Sequence, residues 1–314
     1  MIKNKNKIVY LAAVIFSIIT GLSYFLNKVA LETSEPIDIL AHRFTSAFLG
    51  LLIGILFGFI KVNLTKEKIK KILPLALFNP LLYFGLQTTG LQYATSAEGG
   101  ILLASSPIFT LLLASYFLKE KSTLSQKIFM ILSVSGVVYI TIMKGVTFDL
   151  NNILGVILLL LSAISIASYN VVGRVLNKNF SNMEISFVMI SISFIIYNII
   201  AIVKHIMSND LLNYFTPFTN IDFTISVVYL GVLSSLVSSL INNYVLSNIE
   251  ASKMSVFANL GTVISIFAGV IFLNENLYYY HIIGSIFIIG GVLGVNFSEN
   301  IKFKRVRYNK STIH

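Results

Sequence analysis

Few side chains in this sequence could do chemistry, so each can be weighed singly. Glu98, in "YATSAEGGILLASSP", stands at the start of an apolar run. A carboxylate inside such a run could relay protons. Thr95 stands three residues before it, so Thr95-x-x-Glu98 also fits a capping box, with Glu98 satisfying free N–H groups of a first helical turn. At helical rise Glu98 sits about 5 Å in from Thr95, nearer an interface than a midplane. Both readings stay open. Arg43 lies about 10 Å into the run that starts at Pro36. A lone guanidinium there needs a partner. The expectation is a structural pair with a carboxylate such as Glu98 or Asp38, with a substrate carboxylate as the alternative. Asn79, Tyr83 and Gln87 recur every four residues and share one helical face. Thr20, Tyr24 and Asn27 do the same, as do Ser162, Ser165 and Tyr169. Asn242, Asn243 and Asn259 add amides, and Ser105 stands two residues before Pro107. Serines and threonines can simply pack helices together. An unpaired mid-membrane amide costs several kcal/mol, so the Asn and Gln argue more strongly for a polar cavity.

Other chemistries lack their residues. There is no cysteine, hence no disulfide framework or thiolate metal site. The histidines are His42, His205, His281 and His314, and none has a second His or an acid at ligand spacing within a helical core. No clustered nucleophile and base appears, which argues against an intramembrane enzyme. No G-x-x-x-x-G-K-[ST] loop appears, so ATP is not the direct energy source. No cofactor and no metal is expected.

The elements that position these residues are membrane helices. The 314 residues are 56% hydrophobic and 11% charged, with mean hydropathy +0.84. A water-facing protein carries roughly 25% charged residues. Ten apolar runs are long enough to cross a bilayer of about 30 Å. They are 8–27, 37–60, 72–91, 95–117, 124–143, 153–173, 184–206, 222–244, 252–273 and 279–298. With the N-terminus in the cytoplasm, every Lys and Arg of the 23 falls on the inner side except Lys28, Arg43, Lys144 and Lys204. The positive-inside rule therefore places both termini in the cytoplasm. The basic excess reflects this topology and not nucleic-acid binding. Lys253 is expected to snorkel to the surface.

The chain also repeats itself. "FLKEK" at 117–121 returns as "FLNEN" at 272–276, Gly136 as Gly291, and Gln87 as Asn242. "Ser17…Ser23-Tyr24" returns as "Ser162…Ser168-Tyr169". The chain thus divides into 1–145, 150–300 and a basic tail, 301–314. Five helices per half is an odd number, so the second half enters the membrane from the opposite side. Inverted repeats with a midplane site between them are an architecture of secondary carriers. Where the first copy has Lys119 and Lys121, the second has Asn274 and Asn276. Lysines there would oppose an outside location. Glu120 and Glu275 are retained and read as caps or loop braces.

At this point the sequence resembles a known family. "ILLASSPIFTLLLASYFLKEK" resembles the fourth helix and following loop of the EamA family of the drug/metabolite transporter superfamily. "NLGTVISIFAGVIFLNEN" with "IIGSIFIIGGVLG" resembles the ninth and tenth helices, and "ITGLSYFLNKVAL" with "AHRF" the first and second. The resemblance covers nearly the whole chain, in two copies. It implies an all-α polytopic fold of ten helices, a central cavity and transport of small metabolites. The expectation is an alternating-access carrier in the plasma membrane, exporting amino acids or related metabolites as a monomer or homodimer, with protons as a possible coupling ion. A channel-like or uniport permease is the alternative. Two positions depart from the family: Thr20, where the family often has Trp, and Thr262, where its ninth helix has proline. The second departure leaves open whether the second half contains a broken helix.

Overall fold

The computed structural model describes residues 2–58, 62–119, 123–144, 150–272, 274, 276–291 and 293–294. Among them the chain is helical, with no strand. Successive helices are α1 (Ile2–Leu31), α2 (Pro36–Leu56), α3 (Lys66–Gly90), α4 (Ser96–Leu103 and Ser106–Phe117) and α5 (Leu124–Lys144). The second series is α6 (Leu150–Leu176), α7 (Asn182–Met207), α8 (Ile221–Asn248), α9 (Ala251–Phe272) and α10 (Tyr279–Gly291). Six of these, α1, α2, α3, α6, α7 and α8, are long and apolar enough to cross a membrane.

Local chemistry sets the boundaries. Glu35 is extended, and Pro36 opens α2 with its ring pre-set for helix. Gly58 follows its end at φ +74°, the left-handed conformation that suits glycine. Thr65 accepts the Lys68 N–H and starts α3 six residues before the predicted span, because the polar first turns of that helix are capped although not apolar. Ser181 and Glu184 form a reciprocal capping box at α7. Between α7 and α8, the stretch 207–221 that separates the predicted spans contains two 3₁₀ turns, Leu211–Tyr214 and Thr216–Thr219.

The burial pattern is inverted relative to a water-soluble bundle. On α7, Ile195, Ile199, Ile202 and Ile206 are exposed, while Glu184, Ser186, Ser193 and His205 are buried. Hydrocarbon outside and hydrogen-bonding groups inside is the arrangement a bilayer imposes.

The sequence repeat reappears in the backbone. Lys119 and Asn274, equivalent letters of the two pentapeptides, both adopt φ +53°. The third helix of each series loses regular α-geometry at matching positions: α3 over Leu77–Leu82 and α8 over Tyr229–Val237, both as π-type turns. Packing is reciprocal as well. α1 lies against α8 and α9, α6 lies against α3 and α4, and α2 meets its counterpart α7. At α5 and α10 the exchange holds residue by residue. A methyl group on Gly136 would come within 2.5 Å of the Gly284 carbonyl, and one on Gly291 within 2.5 Å of the Phe129 carbonyl. Phe129 is the repeat equivalent of Gly284, so the same contact is made twice. α9 runs unbroken through Thr262, whereas α4 is interrupted at Ala104 and Ser105, just before Pro107. The break of the second half thus lies in α8 and not in α9.

Candidate functional site

A cavity lies where the two series meet. Thr20 and Tyr24 of α1, Asn79 and Tyr83 of α3, and Asn242 of α8 line it, with Phe16, Phe44, Phe84 and Met254 as apolar wall. It offers about 60 Å³ to solvent; one water needs roughly 10–15 Å³ by the same measure. A few waters or one small polar group therefore fit.

The broken helix α3 forms one wall. Asn79 is extended at φ −145°, ψ 123°, and Pro80 has no N–H to give. The ladder is interrupted at Asn79-Pro80, and hydroxyls on neighbouring helices add bonds to carbonyls around the break. Ser165 Oγ donates to Phe78 O at 2.7 Å and Ser162 Oγ to Tyr83 O at 2.8 Å. The Tyr197 hydroxyl donates to Leu81 O at 2.5 Å. Ser162 and Ser165 thus splint α3 from behind. Gln87, almost fully buried, donates to the Tyr83 hydroxyl at 3.3 Å, and both interact with Tyr24.

Other candidate residues lie elsewhere. Tyr169 donates to Asn243 Oδ1 at 2.6 Å, and Asn243 donates to Ser186 Oγ at 3.1 Å, knitting α6, α7 and α8 together. Asn259 donates to Ser133 Oγ at 2.5 Å, joining α9 to α5. Asn27 accepts from Thr88 between α1 and α3. Ser105 turns back onto Leu102 O, and its neighbour Ser106 faces the cavity instead. The side chains of Glu98, Glu120 and Glu275 lie outside the described residues.

Arg43 departs from the expected carboxylate pair. Its side chain is fully buried, and among the described residues no carboxylate lies within ion-pair distance of it. Nε donates to Ser235 Oγ at 2.8 Å and Nη2 to Ser234 Oγ at 3.0 Å. The guanidinium carbon sits 3.7 Å from the centre of the Phe84 ring, and Nη1 meets no acceptor. Asp38 is engaged at the end of α2, where Lys204 Nζ lies 3.1 Å and His205 Nε2 3.2 Å from its oxygens. His205 Nδ1 lies 2.9 Å from Asp210 Oδ1. His205 therefore has two acidic neighbours that the sequence reading did not give it. His42 is buried beside this cluster, its Nε2 2.8 Å from Tyr214 O. Burial, together with the Asp38 carboxylate, pushes the Tyr214 hydroxyl up to about 12. Lys253 does not snorkel: it is 5% exposed and pairs with Glu250 at 3.2 Å.

Among the polar cavity residues, Ser23, Asn170, Ser234, Ser235, Ser238 and Ser239 were not anticipated. The signal was present. "SSLVSSL" places two serine pairs four apart, hence on one helical face. Asn170 follows Tyr169 directly, and it is the Asn that faces the cavity.

Helices with apolar exteriors, arranged as two matching series around an internal cavity lined by polar and apolar side chains, define a multi-span membrane protein. The sequence profile of the EamA-like transporter family matches residues 7–142 and again 153–297. YcxC of Bacillus subtilis, named an uncharacterized transporter, is 45% identical over 305 residues, covering 97% of this chain and 98% of its own. A further protein with that designation, from Archaeoglobus fulgidus, is 27% identical over 87% of this chain and 92% of its own. A crystal structure superposes with a TM-score of 0.65 at 15% identity, over 90% of this chain and 98% of the other, and so shares the fold. The chain belongs to the EamA-like transporter family.

Proposed function

We propose that this protein is a secondary carrier of small organic metabolites, exporting amino acids or related compounds across the plasma membrane by alternating access. One observation carries the reading: a cavity with polar groups on an apolar wall is shared by both repeats, with Thr20, Asn79 and Tyr83 from the first and Asn170, Ser238 and Asn242 from the second. A cavity shared by two halves changes its opening when one half rocks against the other. The reading includes ten spans, in halves 1–145 and 150–300 of opposite orientation, with both termini and the basic tail 301–314 in the cytoplasm. The positive-inside distribution and the reciprocal packing of α5 and α10 support it. It assigns no catalysis to the chain.

The test is metabolite profiling of cells with and without the protein, followed by flux measurements in proteoliposomes. Saturable, counter-flow-stimulated movement of the compounds that change supports a carrier. Linear, non-saturating flux would instead favour the channel-like alternative, and no dependent compound would sink transport.

A further inference from the structure

We propose that the solute moved by this protein carries a carboxylate, and that Arg43, acting through Ser234, is the group that holds it. The inference rests on the carrier reading and adds the residues that hold the acid group of its cargo.

The charge of Arg43 is unbalanced among the described residues. A fully buried guanidinium is stable only when paired or richly hydrogen-bonded. Arg43 has two serine hydroxyls and one aromatic face. The ring attracts the cation but brings no negative charge. Among the described residues, the buried acids Asp38 and Glu184 are committed. Asp38 faces Lys204 and His205, and Glu184 faces Lys68 at 2.6 Å. Nη1 is left buried without an acceptor. A missing anion at a fixed cation is what a charged ligand supplies.

The position is right for a cargo. Ser234, Ser235, Phe44 and Phe84, all in contact with Arg43, line the cavity. Their hydroxyls differ. Ser235 spends its proton on Leu230 O at 2.9 Å. Ser234 accepts from Arg43, and its own proton has no acceptor among the described residues. A hydroxyl backed by a buried guanidinium is a polarised donor, and an ionised acceptor is what makes such a bond strong. One carboxylate oxygen can take the Ser234 proton at the cavity wall, with the buried Arg43 charge directly behind that hydroxyl. The small free volume suits a planar carboxylate. Around the rest of the cavity Asn79, Asn170 and Asn242 each keep an unpartnered amide oxygen. These groups call for N–H donors on the same solute, the complement of a zwitterion.

The test compares L-alanine, L-serine, L-leucine and L-phenylalanine with their C-terminal amides and with inorganic phosphate, on the full chain in nanodiscs. At least one amino acid should bind, with its amide weaker by about tenfold or more. Arg43→Gln should abolish that binding. If this variant does not fold, Ser234→Ala, which leaves Arg43 in place, should still remove most of the acid-over-amide preference. Equal binding of acid and amide, binding of phosphate only, absence of binding by every acid, or an unchanged preference in Ser234→Ala would each overturn the proposal. Labelled flux separates the two readings: amides carried as fast as acids sink the carboxylate alone, while no dependent metabolite in cells sinks the carrier.

Discussion

At the scale of single residues, chemistry was legible where it is local and hidden where it depends on distant partners. Asn79-Pro80 announced a broken helix because proline's missing N–H acts on its own turn. That Arg43 would lie deep in the fold followed from its place in α2. Its partners did not, because Ser234 and Ser235 stand more than 190 positions away. Lys204 read as a stray outer charge, yet it closes a cluster with Asp38 and Glu35. Asp38→Asn leaves the Lys204 and His205 side chains facing a neutral amide. We expect a loss of about 1–3 kcal/mol, visible as earlier thermal unfolding in detergent, with Glu35→Gln milder because Glu35 is largely exposed. Glu98 has its own expected outcome. If it carries the coupling proton, Glu98→Gln in proteoliposomes transports solute without responding to a pH gradient. Retained coupling assigns it to capping only.

At the scale of elements, the spans were readable as apolar runs, and their ends as caps. The irregular geometry was readable in α3 but not in α8. α3 is interrupted by a residue that cannot continue the ladder, whereas α8 widens over Tyr229–Val237 without a proline. Serine hydroxyls there bond to carbonyls within the helix, as Ser235 does to Leu230 O, an alternative partner that competes with the α-ladder. α3 depends instead on hydroxyls from α6. Ser162→Ala with Ser165→Ala removes two side-chain hydrogen bonds to carbonyls that the α3 backbone also serves, a cost of about 0.5–1.5 kcal/mol for each. The double variant should unfold earlier than either single one, by an amount close to their sum, since each hydroxyl serves a different carbonyl. A change no larger than that of an exposed control such as Ser168→Ala would contradict the splint.

At the scale of the molecule, the repeat was the most readable feature, because matched residues in the same order survive as matched geometry. The sidedness of the two halves is open to direct measurement, since no native cysteine interferes. With both termini inside, a cysteine at Lys127 should react with a membrane-impermeant maleimide only after the cells are opened, and one at Asn276 in intact cells. Both positions are exposed. Labelling of both from the same side would refute the inverted arrangement. Packing between the halves gives a second test. Gly136→Leu and Gly291→Leu each push a side chain into a facing backbone carbonyl. The two should lower stability by similar amounts.

That last equivalence has a meaning for how such a chain could arise. A contact in which Gly136 meets Gly284, and Gly291 meets Phe129, is a surface that recognises its own copy across a two-fold axis. Before any duplication was fused, one half inserted in both directions would already have possessed the face on which two molecules could join. The linker between the halves then had only to keep together partners that already fitted.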